Sequence, residues 1–184
     1  MPAIGIDVGG TKCLGIVLDG DRVVAETKRP TPHTPQGIID TLVAVVEELG
    51  DHEAVGVGVP GLVTRSGVIR ASPNLVDVAD FDVAGRLSER LGRSVAVDND
   101  ATCAAVAEWR AGAAVGHRDA VVVTLGTGIG GGLIVDGAIV RGANGFAGEV
   151  GHMIVDPNGP MCPCGRRGCW EDRKSTRLNS SHRT

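Results

Sequence analysis

A-I-G-I-D-V-G-G-T-K-C-L-G-I-V-L-D-G, residues 3–20, and A-V-V-V-T-L-G-T-G-I-G-G-G-L-I-V-D-G, residues 120–137, decide the fold. Laid over one another without gaps, at an offset of 117, they share five identities in eighteen positions. Gly9 falls on Gly126, Gly15 on Gly132, and Asp19-Gly20 on Asp136-Gly137, and the apolar positions agree as well. Each stretch reads as strand, glycine-rich turn, strand. Self-similarity of this kind points to a duplication, so the chain is expected to be α/β, with two similar lobes closing over a ligand. Residues 1–117 form the N-terminal lobe in this reading, and 118–172 begin the second.

Working outward, Asp19-Gly20 punctuates a turn before Arg22 to Lys28, so the first thirty residues read as a three-stranded antiparallel meander. Thr34-Pro35 opens a helix, with a cap residue followed by proline at the first position. Ile38, Ile39, Leu42, Val45, Val46 and Leu49 recur at helical spacing, and Gly50 ends it. Ala54 to Val59 reads as a buried strand, Val83 to Leu91 as a helix stopped by Gly92, Val95 to Val97 as a strand and Ala101 to Ala111 as a helix. Aromatic residues make up only 2% of the chain, so the core must be built from Val, Ala, Leu and Ile. A formal net charge of −4 gives no electrostatic case for nucleic acid or an anionic membrane as partner.

The densest chemistry lies in E-V-G-H-M-I-V-D-P-N-G-P-M-C-P-C-G-R-R-G-C-W-E, residues 149–171. His152, Cys162, Cys164 and Cys169 supply one imidazole and three thiolates, the ligand set of a closed tetrahedral zinc site. No basic leader or long apolar segment opens the chain, which points to a reducing, cytoplasmic setting where clustered Cys and His favour metal over disulfide. Zinc on His152 would also order a polar pocket beside Glu149, so the metal is expected to build a substrate site and not to perform the chemistry. Cys13 and Cys103 lie in apolar runs and read as small core residues.

The two glycine loops carry a second chemistry. Asp7-Val8-Gly9-Gly10-Thr11-Lys12 and Thr124 with Gly126-Thr127-Gly128 are expected to bind the nucleotide, as turns whose amides can approach phosphate oxygens, with hydroxyls and Lys12 adding donors. Asp7, at a strand end, is placed to hold Mg²⁺ directly or through water. Gly126, Gly128 and Gly131 satisfy G-x-G-x-x-G, but a strand follows where the dinucleotide fingerprint needs a helix. That reading fails. Ser94 to Ala101 sets Asp98, Asn99 and Asp100 at a strand end before a helix. Asp100 is the candidate general base, with Asn99 orienting a substrate hydroxyl and helix capping as the competing role.

In order along the chain, D-V-G-G-T-K, G-V-G-V-P-G (56–61), S-P-N-L (72–75), D-N-D-A (98–101), L-G-T-G-I-G-G-G, G-E-V-G-H and C-P-C-G-R-R-G-C-W-E resemble the ROK family of bacterial sugar kinases and repressors, most of all its glucokinases. The resemblance runs from Ile4 to Glu171. It implies an actin-like ATPase (ribonuclease H-like) fold, two lobes around a cleft, ATP phosphates held by both glycine loops, Mg²⁺ and a structural Zn²⁺. It also implies that Asp100 deprotonates the 6-hydroxyl of a hexose. Asn99, Glu149, His152 and Glu171 would bind sugar hydroxyls, with Gly61 and Asn74 beside them. A homo-oligomer is expected.

Asp98 stands where the family more often has Glu, and Thr102 where it has Asn. The larger departure follows Glu171, where the second lobe would continue. From Arg173 on, the chain has four basic residues, no acidic ones and Leu178 as its only large apolar side chain. Residues 173–184 are therefore expected to be a non-native tail resembling vector read-through, which leaves the second lobe incomplete. Competing functions are an N-acetylmannosamine or other hexose kinase, a repressor's effector domain and a non-catalytic sugar-binding fragment. The absence of a basic recognition helix ahead of the first strand argues against DNA binding.

Overall fold

The computed structural model describes residues 2–72, 75 and 78–173. Asn74 and residues 174–184 lie outside the described residues. Two compact units emerge: the first runs to Cys103 and includes Arg141–Phe146, and the second comprises Ala104–Val140 and the chain from Ala147 on.

The first unit is built on the expected meander, β1 (Ala3–Val8), β2 (Lys12–Asp19) and β3 (Arg22–Pro30). Two parallel strands, β4 (Ala54–Val59) and β8 (Ala96–Asn99), extend it to a five-stranded sheet of order β3-β2-β1-β4-β8. Helix α1 (Pro35–Leu49) provides the crossover from β3 to β4. Thr34 caps it by accepting from the Gly37 amide at 3.1 Å, and Gly50 closes it by donating to Val46. The buried face of α1 is Ile38, Ile39, Leu42, Val43, Val45 and Val46, packed with Ile4, Ile6 and Val8 of β1 in one core. Each such side chain stabilises by roughly 1.5–3 kcal/mol on burial. Cys13 is fully buried in this core, whereas Cys103 is half-buried.

Helix α2 (Val83–Leu91) is capped by Asp82 at its start and by Gly92 at its end. Between β4 and α2 lies a small antiparallel sheet absent from the sequence reading, formed by β5 (Leu62–Val63), β6 (Val68–Ala71) and β7 (Ala79–Asp82). Strands of two to four residues are too short to display an alternating pattern. Helix α3 spans Asp100–Ala111, and strand β8 starts one residue later and ends two residues later than expected.

The second unit repeats the meander with β9 (Ala120–Leu125), β10 (Ile129–Val135) and β11 (Ala138–Val140). Its first turn is one residue shorter. Val8 pairs with Cys13 across a four-residue loop, while Leu125 pairs with Ile129 across three residues. The gap-free offset of 117 therefore holds for the first strand and slips by one beyond the turn. The border between the units also differs from the expected 117/118. A Cβ on Gly58 of β4 would meet Asp100 Cα at 3.5 Å and Cys103 Sγ at 3.6 Å, which draws the start of α3 into the first unit. Ala105, one turn on, packs against Gly132 of β10 in the second unit. Among the described residues no helix is long and apolar enough to cross a membrane.

Candidate active site and metal centre

In the first unit the polar strand end of β8 is divided among three roles. Asn99 caps α3: its Oδ1 accepts from the Thr102 amide at 2.9 Å. Its Nδ2 donates to the Gly61 carbonyl at 3.0 Å and to Asp100 Oδ1 at 3.1 Å. Gly61 has φ 108, a backbone that favours glycine, and a Cβ there would run into the Ala71 carbonyl. Its carbonyl is thereby aimed at Asn99. Asp98 accepts from the Asn99 amide through Oδ1 and forms an ion pair through Oδ2 with Arg141, whose Nη2 lies 2.8 Å and Nε 2.9 Å away. The capping role thus falls on Asn99 and the structural ion pair on Asp98.

Asp100 remains as the half-buried carboxylate of the three whose chemistry is not consumed by its neighbours. Its Oδ1 also accepts from the Ala101 amide at 2.8 Å. Burial raises its pKa above the ordinary aspartate value, and the nearby Asp7 charge raises it further, against lowering by the backbone amides and Asn99. Asp7, at the end of β1, is likewise raised by lost hydration, with Lys12 pulling the other way. The Asp7 charge thus acts on Asp100 across the strand ends.

The first glycine loop is held by Thr31, the residue after β3. Gly9 donates to the Lys12 carbonyl at 2.9 Å, and buried Thr31 donates its hydroxyl to the Gly9 carbonyl at 2.6 Å. The Thr31 amide donates to Thr11 at 3.1 Å. With those carbonyls engaged, Gly10, Thr11 and Lys12 are left exposed on the loop's outer side.

The second unit holds the metal-ligating set. The ligand atoms of His152, Cys162, Cys164 and Cys169 all lie within 4.8 Å of one another. Cys164 and Cys169 Sγ are 3.6 Å apart, as are Cys162 Sγ and His152 Nδ1. A tetrahedron with Zn–S of about 2.3 Å has S–S edges of about 3.8 Å, so the residues present fit zinc. Backbone bonds pre-form the loop: Cys162 donates to Arg166 at 2.7 Å, and Gly165 donates to Cys162 at 2.9 Å. Burial pushes the Cys162 thiol up, while the Arg166 amide lowers that of exposed Cys164. A bound cation would supply the charge that makes both thiolates. With Nδ1 toward Cys162, His152 turns Nε2 toward Glu149, whose Oε2 is 3.9 Å away. Both residues border a surface pocket of about 570 Å³.

The second glycine loop is held differently from the first. Gly126 donates to the Gly128 carbonyl at 3.0 Å, with Thr127 exposed at the tip, and Thr124 pairs with Gly130 in the β9–β10 ladder. Glu171, at the start of a helical stretch at 170–173, accepts from the Ile129 amide through Oε2 at 2.8 Å. Further along, Cβ atoms on Gly131 and Gly151 would overlap Val150 and the Ile129 carbonyl respectively. Those glycines permit the 148–152 segment to pack backbone against backbone on β10, a role separate from phosphate approach.

Arg141 and Thr31 escaped the sequence reading. Arg141 is the only charged residue between Asp136 and Glu149, which is the one signal it offered. Thr31 offered none.

A ROK family profile matches residues 3–178. The chain belongs to the ROK family. Glucokinase of Streptomyces coelicolor is 41% identical over 180 residues, covering 95% of this ROK chain and 56% of the relative. N-acetylmannosamine kinase of Citrobacter koseri is 37% identical over 176 residues, covering 93% and 60%. A crystal structure of a ROK family glucokinase from Streptomyces griseus in complex with glucose and AMPPNP superposes with a TM-score of 0.84 at 41% identity, covering 93% of this chain and 56% of that one. The mixed α/β fold is that of the ROK sugar kinases, the actin-like ATPase fold. This ROK chain spans about half the length of the curated relatives it matches. The family match runs six residues past the expected boundary at 172.

Proposed function

We propose that this chain belongs to an ATP-dependent hexose kinase that phosphorylates glucose at its 6-hydroxyl. The observation that carries the reading is Asp100, a half-buried carboxylate with a raised proton affinity, fixed by Asn99 and the Ala101 amide at the start of α3. A base of that kind is poised to accept a hydroxyl proton. In the transfer the 6-hydroxyl proton passes to Asp100 while the oxygen bonds to the γ-phosphorus of ATP. The bond from that phosphorus to the β,γ-bridging oxygen breaks, and ADP departs. Little covalent chemistry is left to the protein, so positioning and charge neutralisation supply the rate.

The first unit contributes Asp100, Asn99 with the Gly61 carbonyl behind it, and the loop Gly9–Lys12 for phosphate. Asp7 is the residue for Mg²⁺, which when bound neutralises phosphate charge. The second unit contributes Gly126–Gly128 for phosphate and Glu149, His152 and Glu171 for sugar hydroxyls, with Asn74 as a further expected sugar contact. His152, Cys162, Cys164 and Cys169 would hold zinc, whose part is to fix the His152 ring and the course of the chain up to Glu171. Cytoplasmic residence and assembly as a homo-oligomer belong to the same proposal.

The test is hexose-dependent ADP release by the full gene product, with glucose, fructose and N-acetylmannosamine compared and polyphosphate tried as donor. Glucose giving the highest kcat/KM with ATP supports the reading. A preference for N-acetylmannosamine would move the chain to the second assignment, which the 37% identity to such a kinase favours. ADP release that no hexose stimulates would sink both.

A further inference from the structure

Glu171 stands at a junction that its sugar-binding role does not explain. Its Oε2 accepts from the amide of Ile129, a buried residue where the second glycine loop turns into β10. The three atoms nearest a Cβ built on Gly128 all belong to the Glu171 carboxylate, and that Cβ would overlap Oε2. The glycine therefore makes room for the carboxylate to lie directly on the loop. The chain delivering it is anchored just upstream: Cys169 bridges to Ile154, and the Trp170 amide donates to Met153 at 3.0 Å. Cys169 is itself one of the four clustered metal-ligating residues.

We propose that Glu171 is a positioning residue for the second glycine loop and couples hexose binding to nucleotide binding. The inference rests on the reading that this loop takes nucleotide phosphate and that Glu171 takes a sugar hydroxyl. A carboxylate has about four lone-pair sites, so one amide bond leaves it able to accept from a hydroxyl as well. Without sugar, its full negative charge sits beside the loop and opposes an incoming phosphate. A hydroxyl that donates to the carboxylate draws on that charge and locks the side chain, and the loop then meets phosphate with less repulsion. Hexose should tighten nucleotide binding, and by linkage nucleotide should tighten hexose binding by the same factor.

The experiment measures the dissociation constant of a non-hydrolysable ATP analogue for the full gene product by calorimetry, with and without saturating glucose. A separate calorimetric titration with glucose reports the arrival of sugar in each variant. In the unsubstituted protein glucose should lower the constant at least fivefold, within the range of about 5 to 150 typical of coupled sites. Glu171→Gln keeps an acceptor for the Ile129 amide but loses the charge. It should bind the analogue more tightly than the parent in the absence of sugar, with a glucose effect within twofold of none. Gly128→Ala, which displaces the carboxylate, should also abolish the glucose effect. An equal glucose effect in Glu171→Gln and the parent would overturn the coupling. So would a parent that binds glucose and analogue independently, a result that leaves the kinase reading standing. A parent that binds neither would remove the kinase reading and the coupling together.

Discussion

Strands β1 and β9 carry the same pattern and meet opposite fates. Ile4, Ile6 and Val8 are 2%, 3% and 0% exposed, whereas their counterparts at an offset of 117, Val121, Val123 and Leu125, are 64%, 36% and 68% exposed. Alternating apolar residues report which way a strand's face points. They do not report whether anything lies on it. In the first unit α1 covers that face. The glycine turns that follow teach a similar lesson: one is pinned by the hydroxyl of Thr31 just past β3, the other by the carboxylate of Glu171 just past the cysteine-rich loop. Similar hairpins with different holders respond to different perturbations.

The largest effect that would break this contrast is metal removal. Chelation, or Cys169→Ser, should abolish hydrogen-exchange protection across residues 126–132 and 148–172 while α1 and β1–β4 keep theirs. Structural zinc contributes on the order of 10 kcal/mol to the fold of small domains. Uniform loss of protection in both units would refute a metal dependence confined to the second.

Asp100→Asn comes next. Turnover should fall by about 10²–10⁴, with glucose binding retained. Retained turnover would remove Asp100 from the role of base. Stability should move the other way. Because the folded-state pKa is raised, the folded protein binds the proton more tightly than the unfolded chain, and ionisation destabilises as pH rises through the two values. Asn never ionises. The variant should therefore melt above the parent at pH 7, and the gap should close as pH falls below the ordinary aspartate range. A gap that widens on acidification would contradict the assigned direction.

The strand comparison itself is sharpened by Ile6→Ala against Val123→Ala in urea unfolding of this chain. The first should lose about 2–5 kcal/mol, and the second below about 1 kcal/mol. Similar losses would mean that the β9 face is covered in solution. Thr31→Val, which leaves the Gly9 carbonyl without its hydroxyl donor, should destabilise by about 1–3 kcal/mol, less than Ile6→Ala. It should raise KM for ATP and leave KM for glucose unchanged. A reversed split would argue that the first loop does not face the nucleotide.

Much of this was legible in the linear sequence. The metal-ligating set needs only eighteen residues of chain, so spacing and residue type suffice to bring His152 and three cysteines together. Caps and helical periods likewise placed α1 and α2 from local signals. What escaped depends on distance or on single residues. The partner of Asp98 lies forty-three positions away in Arg141. Asn99 and Asp100 are both able to cap a helix, and only the backbone path decides that Asn99 does so. A one-residue shortening of the second turn is invisible where glycines align at either register. Strands β5 to β7 were missed because they hold too few residues to reveal a period.

Segment 141–146, assigned to the first unit, has a consequence for anyone dissecting the molecule. The polypeptide passes from one unit to the other after residue 103, back after 140 and over again after 146. Proteolysis at a single bond, or a stop codon at any one position, cannot release either unit whole. Independent production of the second unit requires a circularly rearranged or internally linked gene that joins residue 140 directly to 147. Only such a gene would reveal whether the cysteine-rich loop folds without the unit that bears Asp100.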